Sequence, residues 1–85
     1  MNKQLYEEVV YLLDELSQDT SVPKNIRKQA IDSKSTLGKQ NESLDLRCAT
    51  VISRLDELTN DPNVPQLGRT LLYTVISKLE ALAKS

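Results

Sequence analysis

The chain has 85 residues, 39% of them hydrophobic and 27% charged, with a net charge of −1. That length holds one domain, spanning 1–85. The apolar share excludes a disordered or collagen-like chain, and the near-neutral balance gives no overall attraction to nucleic acid or an anionic membrane. With no His and a single Cys, the sequence supports neither an internal disulfide nor a His- or thiolate-based metal site. A reducing cytoplasm is the expected location. The longest apolar run, VVYLL at 9–13, is too short to span a membrane and shows no signal peptide.

Taken in chain order, four stretches carry apolar residues at helical spacing. The first reads Leu5, Val9, Leu12, Leu13, Leu16 and stops at the breakers Asp19 to Pro23. The second reads Val22, Ile26, Ala30, Ser33, Leu37, a thinner stripe. Pro23 is expected in its first turn, Ser21 is placed to cap it, and Gly38 is expected to end it in a left-handed conformation. The third, after the Gly38 to Asn41 break, reads Leu44, Cys48, Val51, Ile52, Leu55, Leu58. The fourth reads Val64, Leu67, Leu71, Leu72, Val75, Ile76, Leu79, Leu82, with Pro65 and Asn63 at its start equivalent to Pro23 and Ser21. Short connections make consecutive helices antiparallel. The predicted fold is all-α, an up-and-down antiparallel four-helix bundle.

A shift of 42 residues brings the two halves into register. Leu13-Asp14-Glu15-Leu16 falls on Leu55-Asp56-Glu57-Leu58, Asp19 on Asp61, Val22-Pro23 on Val64-Pro65, and Arg27 on Arg69. Ten of the 25 positions from 13 to 37 are identical to their counterparts. The chain therefore reads as two duplicated helical hairpins, approximately 1–41 and 42–85, neither able to bury its apolar face alone.

A Leu-rich helix, an Asp, a Val-Pro turn, an Arg and a second apolar helix are similar to the pattern of HEAT-type repeats, although Asp19–Arg27 and Asp61–Arg69 are spaced wider than in that family. The LDEL of 13–16, the D-x-x-VPK-x-IR of 19–27, the LDEL-x-NDPN-VP of 55–65 and the Arg69-Thr70 pair resemble, over nearly the whole chain, a family of small archaeal proteins that carries an uncharacterised-family label. The resemblance implies a compact all-helical bundle and no particular role.

Charge sorts by helix. Residues 1–20 sum to −4, 21–41 to +4, 42–61 to −3 and 62–85 to +2, so sequential neighbours in the bundle have opposite sign. On the second helix, Lys24, Arg27, Lys28 and Lys34 fall opposite the apolar stripe with Ile31 among them. That face is a candidate docking patch for an acidic protein or an RNA backbone. Tyr11, Leu46 and Tyr73 also fall off their core stripes and are candidates for a partner surface or a homodimer contact.

The remaining chemistry reads as structural. The carboxylate pairs Glu7-Glu8, Asp14-Glu15 and Asp56-Glu57 diverge by about 100° on a helix and do not converge on one ion. Asp19 and Asp61 are expected to accept backbone N–H groups at the turns, and Arg27 and Arg69 to hold acidic neighbours across the hairpin. Cys48 sits on a core stripe with no base available, which predicts an inert thiol. Gly68 lies on the fourth stripe and predicts a close helix approach. Asn41-Glu42-Ser43 matches a glycosylation sequon and reads as a helix cap.

The expectation is a non-catalytic protein-interaction or scaffold module, with no cofactor, metal or membrane. It would act on an unidentified protein partner or as a homodimer. The alternative is an accessory RNA-associated protein using the basic face of the second helix.

Overall fold

The computed structural model describes residues 1–85 and contains four α-helices: α1 (Lys3–Gln18), α2 (Lys24–Leu37), α3 (Leu44–Thr59) and α4 (Gln66–Ala83). Each helix packs on two neighbours: α1 on α2 and α4, and α3 on α2 and α4, with no close backbone approach across either diagonal. The result is an up-down-up-down bundle measuring 33 by 20 by 20 Å.

The predicted stripes form one core. Val9, Leu13 and Leu16 of α1 meet Ile26, Ala30 and Leu37 of α2, with Cys48, Val51 and Leu55 of α3 and Leu72, Val75, Leu79 and Leu82 of α4. Every one of these is fully buried, and a large aliphatic side chain contributes about 1.5–3 kcal/mol when removed from water. Leu5, Leu12, Leu44, Ile52, Leu58, Leu71 and Ile76 are half-buried around the core.

Leu67 departs from the expected stripe and is 77% exposed. Val64 and Gly68 are the buried residues at this end of α4. Leu67, about 100° round the helix from Gly68, is turned outward. A Cβ on Gly68 would stand 3.0 Å from Val22 Cγ1 and 3.3 Å from Val64 Cγ1, so the missing side chain is what lets the two Val-Pro turns close over α4.

Those turns share one construction. Asp19 Oδ1 accepts the Ser21 N–H at 2.9 Å and Asp61 Oδ1 accepts the Asn63 N–H at 2.9 Å. Val22 N–H donates to the Asp19 carbonyl and Val64 N–H to the Asp61 carbonyl. Ser21 and Asn63 therefore do not cap the following helices. Pro23 and Pro65 occupy the N-cap positions, just before the first turns in which they are expected, and make no side-chain cap bond. Each aspartate carboxylate instead holds the N–H of the residue two places on, and Ser21 Oγ also donates to Asp19 Oδ1, which fixes the turn and not the helix start.

The α2–α3 end also differs from expectation. Gly38 is right-handed, with φ −82°, so the helix does not end in a left-handed cap. Two neighbouring helices satisfy the free Leu37 carbonyl instead: the Tyr6 hydroxyl donates to it at 3.1 Å and the Arg47 guanidinium donates from α3. Ser43 caps α3 through Oγ, which accepts from the Leu46 N–H, as the sequence predicts. At the same end of the bundle the Asn2 N–H donates to Ser85 Oγ at 3.0 Å. No helix is long and apolar enough to cross a membrane.

Candidate functional site

The α2 face is built by the helical period. Ile26, Ala30 and Ser33 point inward, so Lys24, Lys28 and Ile31 are carried to the outside, and none of them is buried. Ile31 is 56% exposed. Arg27 and Lys34 sit at the edges of this face, not on its crest. Lys34 Nζ reaches across to α1 and pairs with Asp14 Oδ1 at 2.7 Å. Arg27 is half-buried, with its Nε inaccessible and unpartnered. Two free cations, Lys24 and Lys28, therefore precede Ile31 on this face, where the sequence pattern alone suggests four around it.

The two arginines related by the repeat do not bridge to carboxylates across their hairpins. Arg69 Nη2 donates to the carbonyls of Asp61, at 3.1 Å, and Val64, at 3.4 Å. It grips the backbone of the turn that precedes its own helix. Arg27 lies near enough to Asp19 to add to the lowering of its pKa. The main causes of that lowering are the Ser21 hydroxyl and N–H, both donating to the carboxylate. Partial desolvation opposes them.

Tyr11 is 63% exposed, and the neighbouring Glu15 carboxylate pushes its phenol pKa up. With Glu7, Val10 and Asp14 of α1 and Lys34 of α2 it lines a shallow groove along the α1–α2 seam. Leu46 and Tyr73 are also exposed, but they belong to the second hairpin. The candidate residues thus fall into two groups. Tyr11 and the basic residues of α2 share the first hairpin, while Leu46 and Tyr73 stand apart from them.

A second groove, not anticipated from sequence, runs between α1 and α4. Glu15, Gln18 and Asp19 form one wall and Leu67, Thr70, Leu71 and Thr74 the other. Leu67 is the largest apolar exposure there. The signal was present in Gly68, whose place on the stripe turns its neighbour outward, but a glycine is silent in a hydrophobicity pattern.

Cys48 is buried in the core, and burial is the main cause raising its thiol pKa. A protonated, enclosed thiol is a poor nucleophile. No three carboxylate or thiol side chains gather as a metal ion would require. The arrangement offers surfaces: a seam groove with a tyrosine, a basic helix crest with an isoleucine, and an acidic-walled groove with two leucines.

Comparison with known proteins places this geometry. Residues 1–82 match the uncharacterised protein family UPF0147. The UPF0147 protein of Thermoplasma volcanium is 73% identical over 100% of this chain and 96% of its own length. That of Methanothermobacter thermautotrophicus is 40% identical over 96% of this chain and 80% of its own. A crystal structure of a UPF0147 protein from Thermoplasma acidophilum superposes with a TM-score of 0.93 at 70% identity, covering 95% of each chain. A second crystal structure, of a protein of unknown function, gives 0.88 at 35% identity over 94% of this chain and 91% of that one. The chain belongs to the UPF0147 family of archaeal proteins.

Proposed function

We propose that this protein is a small non-catalytic interaction module that works through the outer faces of its helices. The observation that carries this reading is the exposure of five large apolar side chains, Tyr11, Ile31, Leu46, Leu67 and Tyr73, each more than half open to solvent. Single exposed apolar residues are ordinary. Here, however, Tyr11 borders one groove, Leu67 borders another, and Ile31 follows two free lysines, Lys24 and Lys28, along the α2 crest. Interfaces use such apolar anchors inside a polar rim.

The test is a tagged native pull-down split into nuclease-treated and untreated halves. The same proteins returning in both halves would support the module reading. Partners that vanish with nuclease would overturn it in favour of the RNA-associated alternative, in which the Lys24–Lys28 crest of α2 meets phosphates.

A further inference from the structure

We infer that the α1–α2 side of the bundle is the contact face of a two-fold symmetric dimer, the occupant being a second copy of this chain. The inference rests on the interaction-module reading and names its partner.

Charge decides how two copies can meet. Within the first hairpin, residues 1–20 sum to −4 and residues 21–41 to +4, and the two helices lie side by side, antiparallel, on one side of the bundle. Two copies can meet face to face across this side in two symmetric ways. A two-fold axis perpendicular to the helices and lying in the plane of the face lays α1 on α1 and α2 on α2, so like charges oppose. A two-fold axis parallel to the helices lays α1 of each copy on α2 of the other, so Glu7 and Asp14, the carboxylates that α1 presents at this seam, meet the basic α2. Opposite charges select the second arrangement and suppress the first.

A parallel axis keeps every residue at its own height, so the intermolecular register follows from the intramolecular one. The hairpin is tied at one end by the turn at Asp19–Val22 and at the other by Tyr6 to Leu37. Counting inward from both ties at equal rise sets Tyr11 level with Ile31 and Asp32, and Asp14 level with Lys28 and Gln29. In the dimer, Tyr11 of each copy therefore meets Ile31 of the other. Asp14, already holding Lys34 of its own chain, faces the second copy's Lys28. The two most exposed large apolar residues of the hairpin after the initiator Met, Tyr11 and Ile31, are both covered, twice over by symmetry.

The size is sufficient. A side of the bundle measures 33 by 20 Å, so two copies face to face bury on the order of 1,300 Å² in total, within the range of specific interfaces.

The experiment is sedimentation equilibrium of the full chain up to millimolar concentration. It compares wild type with Ile31→Glu, Tyr11→Lys and an equimolar mixture of the two variants, with circular dichroism confirming that each is folded. Both substitutions fall on exposed positions. The expected results are twice the 9.6 kDa chain mass for wild type, association weakened at least tenfold in each variant alone, and recovery of the dimer in the mixture. Recovery is expected because the mixed pair sets the introduced glutamate against the introduced lysine and keeps one native Tyr11–Ile31 contact. A monomeric wild type, or a dimer unaffected by either substitution, overturns the inference. Neither outcome touches the pull-down result, which tests the broader reading separately.

Discussion

Val22 rests on Gly68. A single methyl added to that glycine would meet the valine Cγ1 at 3.0 Å, and the two residues belong to different hairpins. The contact joins the first Val-Pro turn to the first turn of α4.

Gly68→Ala should therefore destabilise the fold. Alanine is better than glycine by about 1 kcal/mol in a helix interior, but overpacking a closed core costs about 1–3 kcal/mol. Val22 and Val64 are both buried, β-branched and followed by proline, so neither yields easily. A net loss of about 1 kcal/mol is expected, seen as a fall of about 4–8 °C in Tm. Val22→Ala alone should also destabilise. The double variant should lose less than the two single losses added together.

Removing the Tyr6 hydroxyl tests the closure of α2. Tyr6→Phe deletes one of the two donors to the Leu37 carbonyl while Arg47 remains, so the cost should be modest, about 0.5–1.5 kcal/mol in urea unfolding. Tyr6→Phe with Arg47→Ala leaves that carbonyl without either side-chain donor and should cost more than the two single changes summed.

Asp19 makes the fold acid-sensitive in a defined direction. Its carboxyl is held below the ordinary aspartate value by the Ser21 donors, so the folded state binds its proton less readily than the unfolded state. That contribution is present above the ordinary aspartate range and is lost as pH falls through the lowered folded value. The urea midpoint of Asp19→Asn should sit below wild type near neutral pH. The gap should close at low pH, once the wild-type carboxyl is itself protonated. A gap that stayed constant with pH would remove the carboxylate from the explanation.

Cys48 should react only through unfolding. Burial encloses the thiol and raises its pKa, leaving little thiolate at neutral pH. Labelling by an aromatic disulfide should be slower in the native protein than in urea by a factor on the order of 10³ or more, following the folded-to-unfolded ratio. Fast native labelling would mean that α3 opens locally around Cys48.

The architecture was legible because it rests on repeated apolar contacts. Val9, Leu13 and Leu16 announce a buried face by spacing alone, and Pro23 and Pro65 mark the helix starts to within a residue. The details that were not legible depend on competition or on a neighbouring helix. Ser21 and Asn63 look like caps, but they belong to the Asp19 and Asp61 turns, and the helices start after Pro23 and Pro65. Gly38 looks like a left-handed stop, but Tyr6 and Arg47 complete the Leu37 carbonyl from helices that are remote in sequence. Lys34 looks free on a helical wheel because the wheel does not show Asp14 on α1. At the candidate surface, the exposure of Tyr11, Ile31, Leu46 and Tyr73 follows from the period of each helix. The outward turn of Leu67 follows from a glycine, which has no hydrophobicity to read.

The bond from the Asn2 N–H to Ser85 Oγ brings the beginning and the end of the chain together at the end of the bundle that also holds the Gly38–Ser43 connection. Joining the termini with a short linker and opening the chain between Lys39 and Gln40, both exposed, would give a circular permutant with the hairpins in reverse order. Its core contacts would be unchanged. The order of the two hairpins along the chain is thus separable from the fold they make, and the Val22–Gly68 contact between them would form whichever hairpin is made first.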